Sequence, residues 1–105
     1  MDTLIWLATK NGHGPVVRAL IEAGANIETT DSKGNTPLLL ASMRGFESVV
    51  RTLLELGADM EAFNDAFQKP LLLASQNGHS EAVRVLVEAG ANKNVIDTAH
   101  GQRPL

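Results

Sequence analysis

Histidine is the side chain best suited to proton transfer and metal ligation, so His13, His79 and His100 come first. His13 and His79 each follow a glycine and lie 66 residues apart, twice a spacing that recurs along the whole chain. A separation set by a repeating fold points to a packing role, not to a shared metal. His100 stands near the C-terminus with no partner the sequence names. There is no cysteine, which removes disulfides, thiolate metal sites and a Cys nucleophile together. Asp59 and Glu61 form a close carboxylate pair, but they sit in a connector, and Glu28 recurs in the Glu61 column. Acid–base work by paired carboxylates needs a cleft and split pKa values, whereas a connector offers a solvated rim. "NGHG" at residues 11–14 has two glycines, yet no Lys-Ser/Thr follows and no strand precedes it, as a phosphate loop requires. An enzyme or nucleotide binder would need convergent titratable groups, and the sequence supplies none. The expectation is therefore no catalytic residue, no metal and no cofactor.

The composition narrows the remaining classes. The 105 residues are 44% apolar, enough for a core, but only 4% aromatic, so that core must be built from Leu, Val, Ile and Ala. The net charge of −3 argues against a nucleic-acid surface, which depends on Lys and Arg. No apolar run is long enough to span a bilayer, and "MDTLIWLATKNGHG" does not read as a signal peptide. An intracellular setting is expected, cytoplasmic with the nucleus also open.

The elements that must position any site are written three times. Shifted by 33 and by 66 residues, the sequence superposes Leu7/Leu40/Leu73, Ala8/Ala41/Ala74 and Gly12/Gly45/Gly78. Val17/Val50/Val83, Arg18/Arg51/Arg84 and Leu20/Leu53/Leu86 follow, then Glu22/Glu55/Glu88. Each copy closes on Gly24-Ala25, Gly57-Ala58 or Gly90-Ala91. Nine of the 27 columns from Leu4 to Thr30 are identical in all three copies, far beyond chance.

Each copy decodes alike. Thr36 before Pro37 is an N-cap followed by proline at the first helical position. Leu38, Leu40 and Ala41 build a short helix, which Gly45 ends in the left-handed conformation. A second helix from about Phe46 to Leu56 places Val49, Val50, Leu53 and Leu54 on one stripe, and Gly57 ends it. "ADMEAFND" is the connector to the next copy. One such unit cannot bury its own apolar face, but stacked units share a core. The Arg18/Arg51/Arg84 column precedes the Glu22/Glu55/Glu88 column by four, which predicts i,i+4 ion pairs on a solvated outer face.

"DSKGNTPLLLASMRGFESVVRTLLELGAD" resembles an ankyrin repeat, and the resemblance covers nearly the whole chain. It implies an all-α repeat solenoid of stacked helix-turn-helix units with β-hairpin finger loops. Read against that pattern, repeat 1 covers about 1–30 and lacks its finger. Repeat 2 spans 31–63, repeat 3 spans 64–96, and a partial fourth covers 97–105. The family's His after Pro-Leu is replaced by Trp6, Leu39 and Leu72. Leu39 and Leu72 are accordingly expected to be buried between repeats, and Trp6 to lie in the core or cap an end. Lys69 in place of Thr weakens the cap before Pro70. Phe67 in place of the finger glycine predicts a different turn in the third finger. Asn94 resembles the column in which ankyrin asparagines can be hydroxylated.

The resemblance implies a partner protein of unknown identity, met by the finger tips and the exposed side of the inner helices. End-to-end self-stacking through truncated repeats is a further partner expectation. The tip residues are Thr30, Ser32, Lys33 and Asn35, then Phe63, Asp65, Ala66 and Gln68, then Ile96 and Thr98. The inner-helix residues are Lys10 and Asn11, Met43 and Arg44, Gln76 and Asn77. These columns vary among the copies while the scaffold columns do not. Phe63, Met43 and Arg44 are the expected anchors, because aromatic residues, Met and Arg are enriched at interface cores. The alternative is a structural spacer that only stacks within a longer array.

Overall fold

The computed structural model describes residues 2–98, with side chains described for residues 3–90. Six helices follow in order: α1 (Asp2–Lys10), α2 (Gly14–Glu22), α3 (Pro37–Arg44), α4 (Glu47–Glu55), α5 (Pro70–Gln76) and α6 (Ser80–Thr98). Each odd helix packs on the even helix that follows it. The odd helices also pack on one another in sequence, as do α2, α4 and α6. The result is a two-layer stack of three helix pairs, an all-α repeat solenoid.

Local chemistry sets the helix limits. Thr36 is extended and its Oγ1 accepts the Leu39 N–H at 3.2 Å, satisfying one donor at the start of α3. Lys69 holds the same extended backbone before Pro70 but makes no side-chain cap. The missing hydroxyl therefore removes a hydrogen bond without moving the helix start. At the other end, Gly45 is left-handed, Gly45 N–H donates to Ser42 O and Phe46 N–H donates to Ala41 O. The same pair of bonds closes α2 after Gly24 and α4 after Gly57, which is the Schellman arrangement.

The third copy departs from that rule. The sequence places a helix end at Gly90, whereas α6 runs unbroken to Thr98. After Gly24 and Gly57 the chain is drawn away by the next inner helix, α3 or α5, which packs on the preceding pair. Among the described residues no inner helix follows α6, and "ANKNVIDT" contains no proline to stop it. Asn94, Ile96 and Thr98 consequently lie on α6, and their side chains fall outside those described. The expected β-hairpin fingers are also modified. No residue among those described is a strand, and the segments before α3 and α5 are turns. Each is closed by two backbone bonds, Asp31 N–H to Asn35 O with Gly34 N–H to Asp31 O in one and Asn64 N–H to Gln68 O with Phe67 N–H to Asn64 O in the other, too few to extend into a ladder.

The core is aliphatic, as the composition requires. Ala8, Val17, Leu38, Ala41, Val49, Val50, Leu53, Ala74, Ala82, Val85 and Leu86 form one buried cluster. Complete burial of a Leu or Val contributes about 1.5–3 kcal/mol. Leu39 is fully buried, as expected, but Leu72 is 49% exposed, against expectation. The columns explain why. Leu39 is covered by the following pair α5–α6, and no described pair covers Leu72. Trp6, in the same column, is half-buried.

Thr9 and Ser42 share a column and are fully buried, yet neither hydroxyl has a hydrogen-bond partner. Ser42→Ala is therefore expected to leave stability unchanged or to raise it by up to about 1 kcal/mol, because an unmade buried bond costs more than its absence. Urea unfolding checks this, and a loss above about 1 kcal/mol would show that the hydroxyl has a partner.

Candidate recognition surface

The second and third fingers are built by one device. In the second, Asp31 Oδ1 accepts the N–H groups of Lys33 (2.8 Å) and Asn35 (2.9 Å). In the third, Asn64 Oδ1 accepts those of Ala66 (2.9 Å) and Gln68 (3.0 Å). Gly34 has φ 79° and Phe67 has φ 60°. The different turn expected for the third finger is thus not formed. Asn64 supplies the acceptor that Asp31 supplies one copy earlier, and this bonding holds Phe67 in the left-handed region despite its side chain. The fingers are also joined to each other. Asn64 Nδ2 donates to Asn35 Oδ1 at 2.9 Å, and Asp65 N–H donates to Lys33 O at 3.0 Å.

A left-handed non-glycine residue costs about 1–2 kcal/mol. Phe67→Gly is expected to raise stability by about 1 kcal/mol, since the entropy of the added glycine offsets part of that relief. Chemical denaturation reads it, and a destabilised variant would show that the Phe63–Phe67 ring contact outweighs the strain. Those rings lie 5.8 Å apart, inclined at 30°, and both are exposed, Phe67 at 79%.

Asp31 titrates against this framework. Partial burial alone would raise its pKa, but the hydrogen bonds from Asn35 and Lys33 outweigh that and hold its carboxyl below the ordinary value. A depressed folded-state pKa contributes stability above the unfolded value, and that stability is lost as pH falls through the folded one. Asp31→Asn is expected to be less stable than the parent at pH 7, with the gap closing below about pH 4. Thermal melts across pH check this, and a gap unchanged at about pH 3 would contradict it.

Between the two fingers and the end of α3 lies a cleft of about 450 Å³. It is lined by Ser32, Lys33, Asn35, Met43, Asn64, Asp65, Ala66 and Gln68. Seven of the residues expected from sequence therefore meet at one place. Ser32, Lys33, Asp65 and Ala66 are exposed, and Met43 and Gln68 are half-buried. Asn35 is buried, its amide committed within and between the fingers, so it forms the cleft wall and not a free tip. Thr30, Phe63 and Arg44 are exposed outside this lining. Lys10, Asn11, Gln76 and Asn77 are exposed on α1, α5 and the turns after them. The Asn11 amide donates to Leu7 O at 2.9 Å, and that of Asn77 donates to Met43 O at 3.2 Å. Two cleft or rim residues were absent from the sequence-based set, Asn64 and Phe67. Their columns, shared with Asp31 and Gly34, carried the signal.

His79, Glu28, Asp59 and Glu61 are engaged in structural contacts, whereas the His13 side chain is exposed and His100 lies outside the described residues. His79 Nε2 bonds the Met43 carbonyl at 2.9 Å, donating its proton there, with its ring over Gly45. Phe46, in the same column, lies over Gly12. Asp59 Oδ1 accepts the Glu61 N–H at 2.9 Å, and Glu61 pairs with Lys69 at 2.8 Å. Glu28 accepts the Asp59 N–H at 2.8 Å, linking successive connectors.

The i,i+4 pairs expected on the outer face are replaced. Arg18 pairs with Glu55 of the next helix pair, Arg51 with Glu47 at 2.8 Å and Arg84 with Glu81 at 3.9 Å. Arg51 prefers Glu47 because a Glu placed N-terminal to its cation is the better helical order. All these pairs are exposed and contribute little to stability. Among the described residues no three His, Cys, Asp or Glu side chains are grouped to hold a metal, and no helix is long and apolar enough to cross a membrane.

Fold and surface together define a helical repeat solenoid with a finger-and-inner-helix cleft. A family model for ankyrin repeats in three copies matches residues 1–64, and a second, for many copies, matches residues 46–87. The chain belongs to the ankyrin repeat family. Ankyrin repeats are, in general, protein–protein interaction modules. Comparison with curated proteins gave no match.

Proposed function

We propose that this chain is a non-enzymatic module that binds a partner protein through the second and third fingers and the adjacent end of α3. One observation carries the reading. Seven residues from columns that vary among the copies line one cleft, whereas identical columns such as those of Ala41, Val50 and Leu53 lie in the buried core. Met43 gives that cleft an apolar floor, and Lys33 and Asp65 give it both signs of charge. A few such groups can supply most of a partner's binding energy.

The test is comparative capture from cells of the source organism. Five baits are used: the parent chain, Met43→Ala/Asp65→Ala in the cleft, Arg51→Ala on the outer face, and single Phe63→Ala and Arg44→Ala variants. The cleft variant should lose the partner and the single variants weaken it about ten-fold, with Arg51→Ala unaffected. Retention by the cleft variant, or loss with Arg51→Ala, would sink the assignment.

A second reading is favoured by the exposed apolar side chains Leu4, Leu7 and Val16 on the first helix pair and Leu71, Leu72 and Val87 on the third. On it the chain is a stacking segment that associates end to end with like units.

A further inference from the structure

Exposure follows the repeat columns. Leu4, Leu7 and Val16 are half-exposed on the first helix pair, whereas their counterparts on the third, Pro70, Leu73 and Ala82, are buried. Leu71, Leu72 and Val87 are half-exposed on the third pair, whereas Leu38 and Leu39 in the second are fully buried. The two outward faces are therefore the two halves of one interface. The chain already makes that interface twice, between α1–α2 and α3–α4 and between α3–α4 and α5–α6.

The polar groups match as well. At the second junction Asn77 and His79 both donate to Met43 O. "NGH" at Asn11–His13 writes the same donor pair again. Among the described residues the His13 ring makes no hydrogen bond, and no donor reaches Gln76 O, which stands one repeat beyond Met43 O. Gly78 has open space above it, where the His79 ring covers Gly45 and the Phe46 ring covers Gly12. Arg18 bridges the first junction to Glu55. In the same columns, Arg84 and Glu22 stand on the two outward faces.

We propose that the chain stacks head to tail on a second copy of itself. The first helix pair of one copy sits on the third pair of the other. His13 and Asn11 donate to Gln76 O, the His13 ring covers Gly78, and Arg84 meets Glu22. Because the two faces differ, the contact is heterologous and open-ended. The inference rests on the stacking reading and is independent of the cleft.

Light scattering after size exclusion, on the 105-residue chain from micromolar to millimolar concentration, tests it. The parent should grow in mass with concentration. Val16→Glu spoils one face and Leu72→Glu the other. Each should be monomeric alone, and an equimolar mixture should form a one-to-one dimer from the two intact faces. Both positions are half-exposed, so the fold should survive, which circular dichroism confirms. Leu7→Glu with Val87→Glu repeats the test should either variant misfold. His13→Ala should weaken association about five-fold, the effect of one hydrogen bond. A parent that stays monomeric at every concentration overturns both the proposal and the stacking reading. Dimers of either variant alone, or no dimer in the mixture, overturn the head-to-tail register while leaving end association in place.

Discussion

Leu39→Ala is expected to lower the unfolding free energy by about 2–5 kcal/mol, and Leu72→Ala by less than about 1 kcal/mol. The two residues share a column, a helix type and the same "PLLLAS" phrase. They differ in what covers them. Leu39 is enclosed between α3–α4 and α5–α6 with no exposed surface, so truncation removes buried methyl groups and leaves a cavity. Leu72 is half-exposed, so truncation removes area that was partly in water already. Urea unfolding at low protein concentration gives both values, with end association suppressed. Equal losses would contradict the stacked order of the helix pairs. The comparison also separates fold from assembly, because at high concentration Leu72→Ala should lose the association while Leu39→Ala loses the fold.

Gly45→Ala is expected to cost about 2–4 kcal/mol, against about 1 kcal/mol for Gly78→Ala. Both glycines are left-handed, at φ 73° and 72°, so both substitutions carry the same backbone strain. Only at Gly45 would the added Cβ meet an obstacle, lying 2.4 Å from His79 Cγ. That atom is at the root of the ring, so the imidazole must swing away and give up its bond to Met43 O. Nothing lies within 4 Å at Gly78. His79→Ala in the Gly45→Ala background should recover part of the loss, giving a coupling above about 1 kcal/mol. Strict additivity would show that the ring does not rest on the glycine.

Most of this architecture was legible in the sequence because repetition encodes it redundantly. Three aligned copies fix which columns pack, and Thr36-Pro37, Gly45 and Gly57 fix where helices start and stop. Two departures were not legible for physical reasons. Phe67 looked incompatible with a left-handed turn, but the turn is set by the Asn64 acceptor and by bonds to the neighbouring finger, which one column cannot reveal. Gly90 looked like Gly24 and Gly57, but a glycine permits a helix to end without compelling it, since inside a helix it costs only about 1 kcal/mol. The same neighbour-dependence separates Leu72 from Leu39 and sends Arg18 to Glu55 across a junction instead of to Glu22 along its own helix. On the surface, the varying columns picked out the cleft but not its internal bonding. Asn35 and Asn77 proved to be committed to the stack as well as positioned near the cleft, because a side-chain amide serves scaffold and surface equally well and sequence variation does not tell the two apart.

The most direct measurement is amide hydrogen exchange on the chain with and without its captured partner. The expected footprint is slowed exchange at residues 30–35 and 63–68 and at the end of α3, with α2 and α4 unchanged. Protection on the outer helices α2 and α4, with the fingers exchanging as before, would contradict the cleft as the recognition surface.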